Sequence, residues 1–456
     1  MSKSSLPSNE PGIYNAPWEK AFDKVLTPFE EFIHRQTTSS ILLMVTAVIA
    51  LLFANSSYAY LYEQIQHIDI GINIGNWSLE NTLHHWVNDG LMALFFFVVG
   101  LELKREIMVG ELANLRQAAL PIVAAIGGMV VPALIYIAIN PEGDAARGWG
   151  IPMATDIAFA LGAIALLARR VPKALITFLV ALAIVDDLGA VVVIAVFYTE
   201  TINIAWLTTA GLFFGMLMML NLSGIRKITP YFILAIFLWY AMYESGVHAT
   251  LAGVLGAFSV PARPKYNPAR FSEQVKDAIG KFDACHINGQ SIMNNDQMRG
   301  IVHSLESGAL QVQAPLQRLE HAWHLPVAYL VIPIFALFNA GIPLDLASLG
   351  QTLAHPVTLG VAMGLILGKV LGIAATSWVA IKLGIATLPA NTQFNQIIGV
   401  SLLGGIGFTM SIFIAELGFI HQPELLLMAK TGILFASLFA GIAGFIWLYI
   451  AGSKQA

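Results

Sequence analysis

Ala183-Ile184-Val185-Asp186-Asp187-Leu188-Gly189-Ala190 sets two adjacent aspartates in an apolar run that extends from Ala174 to Tyr198. The run carries no other charge, and Asp186 is its midpoint. A helix of that length crosses a bilayer. An ionised carboxylate at its centre costs about 2.5–3.5 kcal/mol on insertion scales. Such a cost persists only where the group meets a partner, water or an ion, so the pair marks a site inside a membrane.

The whole chain agrees with that reading. Of 456 residues, 57% are hydrophobic and 11% charged, against about 25% charged in soluble domains. Mean hydropathy is +0.71. The fold class expected is an all-α polytopic membrane protein. A net charge of −4 gives no reason to expect nucleic-acid binding. The single cysteine, Cys285, excludes an internal disulfide and fits the reducing side of a membrane. The polar N-terminus lacks a cleavable signal pattern, so the first span is expected to serve as an uncleaved one.

Twelve apolar runs follow, near 39–56, 87–103, 117–139, 148–168, 174–198, 204–220, 230–243, 246–260, 325–342, 356–380, 396–415 and 428–450. They predict twelve transmembrane helices in one transport domain, residues 39–450. A cytoplasmic segment (1–38) precedes it and a cytoplasmic tail (451–456) follows. The seventh and eighth runs are short, and their division at Glu244-Ser245 is the weakest boundary. Basic residues support an even number of spans. Alternate loops and both termini collect 21 of the 24 Lys and Arg, whereas the opposite loops hold only Arg147. Lys369 and Lys430 lie within runs ten and twelve. The positive-inside rule then puts both termini in the cytoplasm.

Between the first two spans, in the outer loop 57–86, isoleucines alternate with small or polar residues from His67 to Trp77, ending on a Gly-Asn turn signal. That periodicity predicts a β-hairpin. It either lies on its own protein or pairs its edge with another copy. Residues 261–324 form the long polar segment. Its start is proline-rich and basic, Lys281 to Asn295 shows no clear period, and Ser304 to His324 is partly helical in pattern. Most of it is expected to be a cytoplasmic loop.

Run four begins with helix breakers and reads Gly148-Trp149-Gly150-Ile151-Pro152-Met153-Ala154-Thr155-Asp156. Run eleven reads Leu403-Gly404-Gly405-Ile406-Gly407-Phe408-Thr409, flexible at its midpoint. Glycine there can simply allow close helix packing. Yet an interrupted span in each half, here at Pro152 and at Gly404, Gly405 and Gly407, also points to a transporter site built from broken helices. Runs four and eleven are the middle members of the triplets 3–5 and 10–12, which suggests an inverted repeat.

Lys369 is near the centre of run ten, too deep for its ammonium to reach the surface easily. Its partner is an aspartate of run four or five. Three midplane acids against one lysine leave a deficit of two charges, which protons or cations must relieve. Carboxylates that hold protons at low pH and a hard monovalent cation at high pH give the simplest basis for proton-coupled exchange. Their titrations are coupled. The bland reading, a buried pair that only locks packing, does not account for four ionisable groups at matching depth.

Near the cytoplasmic surface, Glu102, Lys104, Arg105 and Glu106 form one mixed group, and Arg318, Glu320, His321 and His324 another. Composition favours solvated helix ends, although histidine titrates near neutrality. His248 fits a packing role equally well. An intramembrane aspartyl protease would need two acids on facing helices sharing one proton. Asp156 and Asp186 could mimic them, but Asp187 and Lys369 fit poorly. A cation channel would not move protons obligatorily. No P-loop is present, so no cofactor or ATP is implied.

The segments VGLELKRE, ATDIAFALG, ALAIVDDLGA, SGVHATLAG and GIGFTMSIFIA, in that order, closely resemble the NhaA-type bacterial sodium/proton antiporters. The resemblance covers about residues 37–260 and 316–450. It implies twelve spans whose broken helices, runs four and eleven, cross at midplane. By that likeness Asp187 and Asp186 carry the cation (Na⁺ or Li⁺) and the protons. Asp156 and Thr155 support them, and Lys369 pairs with Asp186. It further implies electrogenic exchange of one Na⁺ or Li⁺ for two protons, activation at alkaline pH, and a place in the bacterial inner membrane. Glu102, Arg105, Glu106, His248, Glu320, His321 and His324 are the candidate pH-response residues. The hairpin at 66–80 is implied to join a homodimer. Two departures touch the pH-response region: the chain is longer at its N-terminus and over about 265–315, and Gln317 stands where a basic residue is expected.

Overall fold

The computed structural model describes residues 36–75, 77–168, 170–199, 201–264, 268–285, 295–345 and 347–452. All but the last residues of the N-terminal segment, the final four of the tail, and part of the long polar segment lie outside these.

Helix α1 (Gln36–Ala54) is followed by a short α2 (Ala59–Gln66), turned 113° away from it. The outer hairpin forms as the alternation predicts. Strand β1 (Asp69–Ile74) pairs antiparallel with β2 (Trp77–Thr82) in the register Asp69 to Thr82 and Ile74 to Trp77. Gly75 supplies a positive φ of 61° at the turn. A two-stranded ribbon is marginal alone, and this one is tied to its own chain. The Trp86 indole donates to the Ile70 carbonyl at 2.7 Å, and the Asn81 amide donates to the Tyr243 hydroxyl at 2.9 Å.

Helix α3 (Leu83–Val109) opens with one wide π turn. Helix α4 (Leu115–Ile139) leads to a 3-10 arm, Asp144–Met153, then three extended residues, then the short α5 (Ile157–Ala165). Run four is thus a broken span. The Tyr136 hydroxyl donates to Ala145 O (2.7 Å), and the Tyr198 hydroxyl donates to Arg147 O (2.8 Å) while accepting from Gly150 N. These bonds occupy polar groups of the arm that a regular helix would satisfy internally.

Helix α6 (Lys173–Phe197) carries the aspartate pair, and α7 (Ile204–Leu222) packs on α8 (Ile228–Glu244). Run eight is reduced to the nine-residue α9 (Leu251–Ser259), about 14 Å long and too short for a hydrocarbon core of about 30 Å. It crosses α3 through small residues. A Cβ on Gly253 would lie 2.2 Å from Ala93 O. The Lys104 ammonium closes its carboxyl end, donating to Phe258 O at 2.6 Å and to Val260 O at 2.5 Å, the favoured place for a cation.

The long polar segment departs from the expected loop. It contains α10 (Pro268–Ala284) and α11 (Asp296–Val312), packed on each other. Phe271, Val275, Ala278 and Phe282 of α10 are half-buried at helical spacing, and Met298 of α11 is buried. Dense charge around these stripes hides their period in the sequence. Helix α12 (Pro315–Asn339) then begins ten residues before the apolar run does. Its polar first turns pack in the protein's interior through Leu316 and Leu319.

After the small α13 (Leu349–Ala354) comes α14 (Pro356–Lys382), with a π turn at Gly364–Gly368. Run eleven breaks into α15 (Phe394–Leu403) and α16 (Phe408–Gly418), bent by 48°. Helix α17 (Pro423–Ala451) completes the bundle. Each apolar run contains a helix. By length and composition, eight helices among the described residues can cross a membrane, or up to ten if each bent pair is one span.

A close helix crossing positions the site. Helices α4 and α14 meet backbone to backbone: a Cβ on Gly372 would lie 2.2 Å from Gly127 O, and one on Gly127 would lie 2.4 Å from Gly372 O. Lys369 is one turn away on the same face.

Candidate functional site

Thr155, Asp156, Asp186, Asp187 and Lys369 are all at most 1% exposed. Lys369 Nζ is 2.6 Å from Asp186 Oδ2 and donates to Thr155 Oγ1 at 3.0 Å. The Thr155 hydroxyl in turn donates to Gly404 O, at 2.9 Å. The lysine therefore links the aspartate helix to the break in run four, and Thr155 links that break to the one in run eleven. Among the three aspartates of runs four and five, the geometry selects Asp186 as the partner of Lys369.

Asp156 has a different job. Its backbone N–H donates to Ile406 O at 2.6 Å. Its Oδ1 accepts from Phe159 N (3.1 Å), its Oδ2 from Thr409 N (2.9 Å) and from the Thr409 hydroxyl. One carboxylate thus caps the N-termini of both α5 and α16. Helix N-termini carry partial positive charge and free N–H groups, so Asp156 is compensated without a lysine.

Two buried carboxylate oxygens have no hydrogen-bond partner among the described residues: Asp186 Oδ1 and Asp187 Oδ1. Asp186 is paired through its other oxygen. Asp187 is left as a buried carboxylate without a basic partner in contact, beside the Asp186–Lys369 ion pair. Such a group can take a proton or a hard cation. No three His, Cys, Asp or Glu side chains among the described residues converge in a metal-holding group, so a cation here would complete its shell from hydroxyl, carbonyl or water oxygens.

The glycines at the second break allow this approach. A Cβ on Gly405 would lie 2.5 Å from Leu365 O, and one on Gly404 would lie 2.9 Å from the Ile373 side chain. At the first break, Pro152 is buried and its ring packs against Gly364. Gly407 precedes α16, and a Cβ there would collide with Ser411.

The candidate pH-response residues divide. Arg105 bridges Glu320 and Glu106, at 3.0 Å each, and His324 Nδ1 is 3.2 Å from Glu102. Glu102, Arg105, Glu320, His324 and His321 line a cavity of about 460 Å³ that also reaches Ile184, one turn from Asp187. His248 stands apart, at the other end of α6, with Nε2 3.0 Å from Tyr198 O, a helix-end contact. The partners of three polar residues escape the sequence reading. Thr409 appears in the run-eleven motif but had no assigned partner. Glu416 and Lys430 form a half-buried pair, 2.5 Å apart. Their signal was an acid and a base in neighbouring apolar helices.

The profile of the family described as Na⁺/H⁺ antiporter 1 matches residues 30–448. An Na⁺/H⁺ antiporter NhaA 1 from Saccharophagus degradans is 57% identical over 438 residues, covering 96% of this chain and 94% of its own. An Na⁺/H⁺ antiporter NhaA from Sulfurimonas denitrificans is 54% identical over 441 residues, covering 96% and 99%. One from Syntrophobacter fumaroxidans is 49% identical over 439 residues, covering 96% and 93%. With apolar helices around a buried carboxylate cluster and a family match across nearly its whole length, the chain is a multi-pass membrane protein that belongs to the Na⁺/H⁺ antiporter 1 family of secondary transporters.

Proposed function

We propose that this protein exchanges cytoplasmic Na⁺ or Li⁺ for protons across the bacterial inner membrane, two protons for each cation. Asp187 and Asp186 are the carriers, Lys369 is the charge partner, and Asp156 with Thr155 holds the broken helices around them. The observation that carries this reading is Asp187: a fully buried carboxylate with an open oxygen, next to an Asp186–Lys369 pair that also has one.

The charges support the stoichiometry. With both aspartates protonated and the lysine charged, the trio holds one positive charge. With both ionised around a monovalent cation it is neutral. The proton-loaded and cation-loaded forms then differ by one charge, which makes the exchange electrogenic. The cavity at Glu102, Arg105, Glu320, His321 and His324 is the cytoplasmic approach, and its ion pairs are the groups through which rising pH activates transport. In this reading the twelve apolar segments are twelve spans with both termini cytoplasmic, the two breaks cross as inverted repeats, and the 66–80 hairpin joins two copies. The cell's gain is sodium tolerance and pH homeostasis in alkaline surroundings.

Vesicles with an imposed inside-acid pH gradient test this. NaCl and LiCl should dissipate the gradient, more strongly from pH 6.5 to 8.5, and KCl should not. Asp187→Asn should abolish the effect. Full dissipation by that variant would remove Asp187 from the mechanism.

A further inference from the structure

An apolar groove of about 520 Å³ opens along the outside of the bundle between α1, α5 and α17. Val48, Leu166, Leu438 and Ile442 line it and are exposed. On helices that cross a membrane, such a surface meets hydrocarbon. Among the described residues the lining holds one polar side chain, Ser437, whose hydroxyl oxygen accepts from Phe408 N at 3.2 Å. Whatever fills the groove is therefore apolar along its length.

The floor of the groove is the break of run eleven. Ile406 and Phe408, on either side of Gly407, both line it. The Phe408 ring meets that of Phe159 on α5 edge to face, centres 4.9 Å apart. The Ile406 carbonyl accepts the Asp156 N–H at 2.6 Å. A molecule in the groove thus packs on the same backbone that holds Asp156.

The walls lead to a cation. On α17 the lining residues Leu438, Ile442 and Phe445 recur at helical spacing, and Tyr449 is the next on that face. On the facing wall, Leu166 is followed four residues later by Arg170. The two walls meet there. Arg170 Nη2 donates to the Tyr449 hydroxyl at 3.1 Å, Nη1 donates to Tyr449 O at 3.4 Å, and Cζ stands 3.9 Å from the ring centre. A Cβ on Gly452 would lie 2.8 Å from Arg170 O, so the backbones also come close. No acid pairs with Arg170 among the described residues, which leaves the rest of its donor fork for a phosphate. Ser437 is the middle residue of α17, and Tyr449 is twelve residues further, about 18 Å along the helix. One leaflet's share of the hydrocarbon core is about 15 Å. The groove therefore runs from mid-membrane to headgroup level, the favoured depth for a tyrosine.

We propose that this groove binds an anionic phospholipid, with its phosphate on Arg170 and the Tyr449 hydroxyl and one acyl chain lying along α17 down to Phe408. Arg170 favours net negative charge over a zwitterionic headgroup, because no acid among the described residues stands beside it to hold the zwitterion's ammonium. The bound chain fills the space behind the break, and so braces α16 and the Asp156 cap in one arrangement. By the distribution of basic residues the lipid belongs to the cytoplasmic leaflet. That assignment and the effect on exchange rest on the antiport reading above, whereas the binding itself does not.

The purified full-length protein is mixed in detergent with equal amounts of phosphatidylglycerol and phosphatidylcholine, and retained lipid is counted by native mass spectrometry. Wild type should favour phosphatidylglycerol about fivefold, the ratio expected of one basic residue near a membrane surface. Arg170→Gln should bring that ratio near one. Gly441→Leu puts a side chain into the groove, where a Cβ would already touch Ile406 at 3.5 Å, and should lower retention of both lipids. Lys382→Gln removes an exposed charge from α14, which is not a wall of the groove, and should behave as wild type. Na⁺-dependent proton movement is then measured in phosphatidylcholine vesicles with and without phosphatidylglycerol. The surface potential moves every variant alike, so the bound lipid shows as an extra response of the apparent Na⁺ constant in wild type and Lys382→Gln that Arg170→Gln and Gly441→Leu lose. Equal retention of the two lipids by wild type, or a wild-type ratio in Arg170→Gln, would overturn the proposal. So would unchanged retention in a folded Gly441→Leu; if that variant does not fold, the other two ratios decide. A wild type that exchanges no Na⁺ for protons ends the antiport reading, and the retained-lipid ratio then judges the site alone.

Discussion

Removing the ammonium of Lys369 should unfold the protein more readily than removing its ion pair altogether. Lys369 Nζ and Asp186 Oδ2 are 2.6 Å apart with both side chains out of solvent. Their gross Coulomb attraction is about 6 kcal/mol at an effective dielectric of about 20, most of it offset by the cost of burying both ions. Lys369→Met leaves Asp186 buried without its partner and leaves Thr155 Oγ1 without a donor, so the loss should be about 3–5 kcal/mol. Replacing both, as Asp186→Asn with Lys369→Met, removes the stranded charge and should recover most of that loss. The assay is thermal unfolding of purified protein in detergent at pH 8, with the two single variants and the double variant forming one cycle. Additive losses in the double variant would refute the claim that the two residues stabilise each other. A single Lys369→Met with wild-type stability would refute the burial argument. The same double variant offers a second readout. Asp187 is then the one titrating carboxylate of the carrier pair, so exchange should pass one proton per Na⁺ and move no net charge, detectable as insensitivity to an imposed membrane potential.

Gly127→Ala should force α4 from α14, because its Cβ would lie 2.4 Å from the Gly372 carbonyl oxygen; overpacking of this kind costs about 1–3 kcal/mol, and a lowered melting temperature together with weakened Na⁺ affinity is the expected result. Thr409→Val keeps the backbone N–H to Asp156 but removes the hydroxyl donor, so a loss of about 1–3 kcal/mol is expected, read by the same melting assay. A wild-type melting temperature in Thr409→Val would mean that the hydroxyl adds nothing to the cap.

The buried acids are legible because of their surroundings. Asp186 and Asp187 stand out in an apolar run, where any charge demands an explanation. Pro152 and the glycines of run eleven announced the breaks for a similar reason: they are poor residues for a straight helix. What the chain order could not supply was pairing across the bundle. Lys369 could have met either run four or run five, and distance decides for Asp186. Thr409 reads as an ordinary hydroxyl until the break of run four is laid against it. Glu416 falls one residue past the end of its apolar run and passes for a surface acid, while Lys430 sits in another helix with no local hint of a partner. The helices α10 and α11 were missed because charged residues crowd one narrow apolar stripe. Helix α9 shows the limit of hydropathy in the other direction, since a run counted as a span despite its shortness folds into only nine helical residues.

Lys104 adds a consequence of its own. Among the basic residues from which the positive-inside rule would assign an orientation, it is one whose ammonium is drawn inward to close the open carbonyls of α9. What serves as an address label during insertion becomes a fastener once the helices are packed. A segment too short to cross the membrane can therefore stop at a defined depth without leaving bare carbonyls against lipid. Moving that one charge along the chain would disturb two things that are usually thought of separately: which side of the membrane α3 ends on, and where α9 stops.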